Sequence, residues 1–511
     1  MYEAAFQNAV EQRTPVELTI EGTIPDWLNG DLYRAGPGTY TIARKDGPPV
    51  QMQHWFDGVA MNHRFSIQPG GRVLYSSRKA GEAFEEHVSQ GGKLGVTFAQ
   101  RDPCKKLFSK FFTIFSGNEA RMPPSVTITP DMPGFAGSVP AKHGVPEDGR
   151  PHYLVVKTDA SVLQILDADS LDPLDMKTYK DIDPQLDGQL SAAHACRDDT
   201  GFYNYSLKLG PSPSYKTFRI APDGTVTVLA TITDAPASYL HSFALTQKYL
   251  ILTIWQAHFK SNGLPVLLNK NIIDGIEREW KPRTDSLIYV VDRVNGGLVA
   301  KYKTAAFFTF HHLNAYDDGD DALLDLIVYD NHSPIEGLYV HNICNQKKET
   351  ELNPGNVRRY RLKNISSGQR GSIARKADID WTGSLSNGME LATIRPQLKY
   401  KPYRFAYGVN KENAGSLTFF DRVIKFDVSK PDGPHVFWSA PKFTPSEPIF
   451  VPRPGSTEED DGVVLSVVLD VTNVRSMLVI LDARDMSELA RAVMQYPFPI
   501  GFHGVYTPRT S

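Results

Sequence analysis

The sequence predicts an all-β chain folded as a propeller of four-stranded blades, and three observations carry that prediction. Short apolar or alternating runs recur from one end to the other: GRVLYSSR, HYLVVKT, SVLQILD, TVTVLATI, YLILTIW, SLIYVVDR, LLDLIVYD, GVVLSVVLD and SMLVILDA. β-Branched and aromatic residues dominate them, which favours strands over helices. Gly, Asp, Asn and Pro break the runs at short intervals, as turns between antiparallel strands require. So many strands must curl, split or repeat radially, and a propeller leaves only short, protected edges. No repeat of fixed period is visible, so the residues alone leave the blade number open. Gly and Pro are spread along the chain instead of collecting in a linker, and residues 1–511 read as a single domain.

Between the strand runs lie two longer connections, 101–123 and 256–285, which read as helices and loops capping one face of the β body. The acidic stretch TEEDD (457–461) reads as a solvated turn. A formal charge of −3 and the lack of a Lys/Arg-rich run argue against a nucleic-acid partner. Three cysteines, Cys104, Cys196 and Cys344, have no C-x-x-C spacing, which suggests neither a disulfide framework nor a structural zinc site. A reducing, cytoplasmic compartment fits this usage. The N-terminus MYEAAFQNAVEQRTP has no secretory pattern, and no apolar run is long enough to span a bilayer, so a soluble or peripheral protein is expected. Neither a G-x-G-x-x-G fingerprint nor a Walker sequence is present, and no organic redox cofactor or obligate protein partner is indicated.

Fourteen histidines are present, and four share one setting: His194 in LSAAHAC, His241 in SYLHSFAL, His311 in FTFHHLNAY and His503 in PIGFHGVY. Each sits in an apolar or small-residue stretch at an expected strand end. Burying four imidazoles is costly unless their ring nitrogens find partners, and a metal ion would supply one. Their separation along the chain lacks the local spacing of a zinc helix or finger. On the residues alone, metal-binding and structural roles both stay open.

The motifs LYRAGPGTY (32–40), HWFDG (54–58), SAAHA, YLHSFALT, FHHLNAYDD, SEPIFVPRP, EEDDGVVLSVV and ELARAVMQYPFPIGFHG occur in order over nearly the whole chain. Together they resemble the carotenoid cleavage oxygenase family. The resemblance implies a seven-bladed propeller with a helical dome and one axial Fe(II) held by His194, His241, His311 and His503. It selects His311 over His312 because the family histidine stands three residues before the Asn of FHHLN, and adjacent strand residues point to opposite faces. Three acids behind the ligands are implied at Asp159, Glu390 and Glu447, where they would fix the imidazole tautomers. Asp159 departs from the family's usual Glu, so its shorter side chain calls for a closer backbone or an intervening water. Val126 takes the place of the small residue that closes one coordination position.

The implied chemistry is cleavage of a conjugated C=C bond with O₂ as co-substrate, giving two carbonyl products. Phe56 and Phe310 match aromatic positions lining the family's substrate tunnel, and Thr158 precedes the acid at Asp159. Stilbene-cleaving members carry a lysine where Thr158 stands, and Lys157 lies on the opposite strand face. An apolar carotenoid or apocarotenoid is therefore expected, most like the fungal torulene and retinal-forming branch. Cleavage of stilbenoid alkenes, retinoid isomerase-hydrolase chemistry without O₂ consumption, and an iron-free lipid-binding propeller are the competing readings. In DPCKKLFSKFFTIFSG, Leu107, Phe108, Phe111, Phe112 and Phe115 group on one helical face near Lys105, Lys106 and Lys110. This resembles the membrane-docking stretch of animal members, in some of which a cysteine at the place of Cys104 is acylated. A lipophilic substrate drawn from a membrane or lipid droplet is the expected partner.

Overall fold

The computed structural model describes residues 2–95, 97–100, 121–135, 148–269, 271–345, 352–367, 374–412 and 419–510. They form a seven-bladed β-propeller, as the resemblance implies. The second blade runs from Thr127–Pro130 to Pro173–Lys177 and the third from Cys196–Asp198 to Val226–Ile232. The fourth starts at Ala244–Leu245, the fifth at His312–Asp318, the sixth at Glu390–Ile394 and the seventh at Phe443–Pro445. The first blade is built on Gly30–Thr39, Val59–Gln68 and Arg72–Lys79.

Strands inside a blade are covered on both faces by neighbouring blades, which explains why GVVLSVVLD is a continuous apolar run instead of an alternating one. Leu313, Leu323 and Val357 of the fifth blade pack against Met389, Ala406 and Ile424 of the sixth. Tyr407 and Val423 of the sixth pack in turn on Phe450, Val464 and Leu481 of the seventh. A hidden repeat accompanies these strands. The third strand of four blades ends at Asp167, Asp292, Asp427 and Asp482, and each carboxylate accepts the amide N–H two residues on, at 2.8–3.0 Å. This is the Asx turn, which fixes the exit to the outer strand.

Two strands close the ring. Thr19–Gly22 pairs with Glu488–Val493 in the seventh blade, and Gly504–Pro508 pairs with Gly30–Thr39 in the first, Arg34 opposite Gly504. Gly22 has φ +90, and a Cβ there would meet the Leu489 carbonyl at 2.3 Å. Behind the second closure, fully buried Asp31 accepts from Arg64 Nε at 2.8 Å and from Arg509 Nε and Nη2 at 3.0 and 2.9 Å.

Long connections meet over one end of the barrel of blades. The short helices Lys260–Gly263, Leu264–Asn269 and Ile272–Gly275 come from the 256–285 segment. Ile272 and Ile273 donate backbone bonds to Thr97 and Phe98, and Val340 donates to Gln53. The expected cap segment 101–123 lies almost wholly outside the described residues, as do Cys104, Leu107, Phe108, Phe111, Phe112 and Phe115. The acidic stretch is a turn, exposed at Thr457 and Glu458 as its sequence reading expects, but its other three acids are paired. Glu459 accepts the N–H groups of Arg404 and Phe405, Asp460 binds Lys425, and Asp461 binds Arg453 and Arg484, so the turn tethers the sixth blade to the seventh.

Replacing Asp31 with Ala would leave two guanidinium groups facing each other without their shared acceptor. Removing one member of a buried ionic cluster costs about 3–5 kcal/mol. D31A should therefore lower the denaturant midpoint by a comparable free energy, whereas an unchanged midpoint would show that closure does not depend on this cluster.

Candidate metal centre

Seven blades present seven positions just before, or at the start of, strands at the blades' inner edge. His194, His241, His311 and His503 precede Cys196–Asp198, Ala244–Leu245, His312–Asp318 and Gly504–Pro508. Glu390 begins Glu390–Ile394, Glu447 precedes Ile449–Pro452, and Val126 precedes Thr127–Pro130. Four of these positions carry imidazoles and two carry carboxylates, and Val126 at the seventh is buried. One ring nitrogen from each histidine falls within 4.8 Å of the others.

Behind this cluster each of three histidines turns its Nδ1 to an acid. His241 Nδ1 is 2.9 Å from both carboxylate oxygens of Asp159, His311 Nδ1 is 2.5 Å from Glu390 Oε2, and His503 Nδ1 is 2.7 Å from Glu447 Oε1. An N–H donated from Nδ1 leaves the lone pair on Nε2, aimed at the common centre. The shorter Asp159 reaches His241 directly, so no bridging water is needed. The neighbouring chain closes up on it: Ala193 N–H donates to its Oδ1 at 3.3 Å and Ser191 N–H to its carbonyl at 2.9 Å.

The acids' remaining oxygens are also taken. Tyr239 donates to Asp159 Oδ2 at 2.7 Å and Tyr329 to Glu390 Oε1 at 2.6 Å. Arg34 Nη1 and the Gly504 N–H donate to Glu447 Oε2 at 2.8 and 2.7 Å. Burial opposes ionisation of Glu390 and Glu447, but the imidazoles and these donors outweigh it and hold both below the usual glutamate range. Burial pushes His503 down to about 4, partly offset by Glu447, and burial with the neighbouring rings holds His194 well below its usual range. Neutral imidazoles are the metal-binding form.

Two observations test whether a cation fits. His311 Nε2 is buried with no hydrogen-bond partner among the described residues, and His194 Nε2 lies 2.9 Å from His503 Nε2. An orphaned lone pair and two facing ring nitrogens are what a shared divalent cation would satisfy, and an all-imidazole set suits Zn, Cu, Fe or Ni. His312 stands apart. Its Nδ1 is 2.7 Å from Ser242 Oγ and its Nε2 is 3.2 Å from Thr253 Oγ1, so both nitrogens are used structurally.

An aromatic wall covers His241. Phe56 lies parallel to its ring at 6.4 Å, and Phe310 meets it edge-on at 5.9 Å. Phe98 and Phe502 pack on Phe56 at 4.9 and 5.4 Å. Asp57 sets this wall by accepting the N–H groups of Phe98, Ala99 and Gln100 at 2.7, 2.8 and 2.7 Å. Thr158 is half-buried between Lys157 and Asp159 and makes no hydrogen bond to the histidines or acids. The ammonium of Lys157 turns the other way, onto Thr129 and over the Phe202 ring. Sequence reasoning did not reach Arg34, Tyr239 or Tyr329. The signals were there: Arg34 lies inside the LYRAGPGTY motif, and Tyr239 stands two residues before His241 in the segment leading into Ala244–Leu245.

Residues 5–508 match the family described as retinal pigment epithelial membrane protein. The chain is 36% identical to torulene dioxygenase of Fusarium fujikuroi, covering 99% of this chain and 93% of the relative. It is 32% identical to carotenoid dioxygenase of Neurospora crassa, covering 99% and 91%. Among solved structures, Synechocystis apocarotenoid oxygenase, including a cobalt-substituted form, superposes with a TM-score of 0.76 at 24% identity, over 99% of this chain and 98% of that one. This last likeness speaks for the fold.

Lys157 supplies a pH test. Burial pushes it down to about 7, against about 10.4 in an unfolded chain. Between those values the unfolded state binds more protons, so stability is lost as pH falls from about 10 towards 7. Lys157→Met should raise the thermal midpoint at neutral pH, by roughly a few kcal/mol of stability, with the gain fading towards about pH 10. A gain independent of pH would contradict the burial penalty.

Proposed function

This chain belongs to the carotenoid cleavage oxygenase family, and from that premise we propose that it is an Fe(II)-dependent dioxygenase that cleaves one conjugated C=C bond of a carotenoid or apocarotenoid to two carbonyl products. It is an enzyme of the carotenoid-cleaving dioxygenase group. The observation that carries the iron reading is the four-imidazole cluster with three of its Nδ1 atoms tied to carboxylates.

His194, His241, His311 and His503 would hold the metal, which would supply the activation of O₂ that the cleavage needs. The chain's own part is positioning. Asp159, Glu390 and Glu447 keep the imidazoles in one tautomer and orientation, so the ligand set is formed before substrate arrives. Phe56, Phe310, Phe98 and Phe502 give a flat polyene aromatic surface beside His241 and exclude water from it. The aromatic wall and the Lys157 ammonium, held on Thr129, support an apolar polyene over a phenolic stilbene. The names of the two fungal relatives point the same way, towards torulene or a similar carotenoid. Such a substrate is nearly insoluble, so collection from a membrane or lipid droplet is part of this proposal. No helix among the described residues is long and apolar enough to cross a membrane.

Purified protein should contain close to one iron per chain, and His241→Ala should lose both the iron and the activity. Incubation under labelled O₂ with a carotenoid, an apocarotenal and a hydroxystilbene separates the substrate classes. Labelled aldehydes from the polyenes are expected. Labelled aldehydes from the stilbene alone would overturn the substrate class, unlabelled isomerised alcohol would overturn the oxygenase chemistry, and full activity without iron would overturn the metal.

A further inference from the structure

The three acids behind the histidines are not held alike. Asp159 and Glu390 are each backed by a neutral phenol, Tyr239 and Tyr329, whereas Glu447 is backed by a guanidinium. Arg34 is 1% exposed, and besides Glu447 Oε2 it binds the Glu447 carbonyl at 3.3 Å, Ser446 Oγ at 3.2 Å and the Phe502 carbonyl at 3.2 Å. It therefore grips the backbone on either side of the Glu447–His503 pair as well as the carboxylate. An arginine buried so completely needs a reason, because a neutral donor would satisfy the same oxygen, as the two tyrosines do.

Counting charge supplies the reason. Asp159, Glu390 and Glu447 each accept from several donors and contribute three negative charges, and the four imidazoles contribute none. A divalent cation on the axis leaves one negative charge over, and Arg34 cancels it. A trivalent cation leaves the same group one charge positive. The Asp57 carboxylate is on the N–H groups of Phe98, Ala99 and Gln100, and the Lys157 ammonium, on Thr129, acts on His194 only while protonated, below about pH 7. In a region of low dielectric one uncompensated charge is expensive, so the count bears directly on which oxidation state is favoured.

We propose that Arg34 is the charge-balancing residue of this metal centre, a positioning residue that favours a divalent over a trivalent ion by making the buried group of acids and metal electroneutral only with the divalent one. The inference rests on the metal reading above, and the test keeps the two apart.

The test is a potentiometric titration of the iron-loaded protein, followed by electron paramagnetic resonance of the trivalent form, at a pH above the Lys157 titration. Iron stoichiometry of every sample is measured separately. Arg34→Met should shift the divalent-to-trivalent affinity ratio by about tenfold or more towards the trivalent ion, a fall of about 59 mV or more for a one-electron couple. Arg34→Lys keeps the charge and loses the fork, so its potential should stay close to the wild type. Glu447→Gln removes one negative charge and should raise the potential, and R34M combined with E447Q should return it towards the starting value. If R34M does not fold, E447Q decides alone: a rise supports the proposal, and no shift or a fall overturns it. R34K behaving like R34M, or R34M and E447Q moving in the same direction, would mean that Arg34 acts through geometry only and would overturn the charge assignment. Iron-free wild type would overturn the metal reading and this inference with it, whereas iron-replete variants with unshifted potentials overturn this inference alone.

Discussion

Three buried hydrogen bonds from imidazole Nδ1 to carboxylate set the conditions for everything at the propeller axis. Each fixes a tautomer, and each tautomer fixes where a lone pair points. Without Asp159, Glu390 and Glu447, the rings of His241, His311 and His503 would be free to rotate or to donate inward, and four nitrogens would not converge. The acids in turn tolerate burial because Tyr239, Tyr329, Arg34 and backbone N–H groups satisfy their other oxygens. The site is thus a layered object in which the outermost donors are as necessary as the ligands.

The β character was legible because turn residues and branched apolar runs are local signals. Blade number was not, since the Asx-turn aspartates Asp167, Asp292, Asp427 and Asp482 recur at unequal spacing, with loops of different length between them. Residue type and setting marked His194, His241, His311 and His503, yet their convergence is a long-range fact that motif resemblance supplied and periodicity did not. Arg34, Tyr239 and Tyr329 escaped for another reason: inside or beside a strand run, a tyrosine or arginine looks like packing or surface until its partner is known. The TEEDD segment was legible as a turn, but the pairing of Glu459, Asp460 and Asp461 was not, because their partners Arg404, Lys425, Arg453 and Arg484 are scattered along the chain.

The wall over His241 shows how the cap and the axis are joined. Asp57 spends its carboxylate on three consecutive backbone N–H groups, and that single residue places Phe98 against Phe56. His54, two residues before Phe56, accepts the Phe56 N–H with Nδ1 at 3.1 Å and donates from Nε2 to the Ile335 carbonyl at 3.0 Å. The HWFDG stretch therefore pins the first blade to the cap, and Phe56 within it faces His241 as a result.

Closure of the ring by Gly504–Pro508 has a thermodynamic side. His503 is joined to that strand, its partner Glu447 belongs to the seventh blade and Glu447's partner Arg34 to the first, so the four imidazoles come together only in the closed ring. Any ion that prefers four ligands to three then binds the closed ring more tightly than the open one, and mass action stabilises closure by the same free energy. Metal affinity and resistance to unzipping are in this sense one quantity measured in two ways. An ion held by the four histidines would act as a clasp on the molecule, and a chelator would compete with the first and seventh blades for it as much as with the histidines.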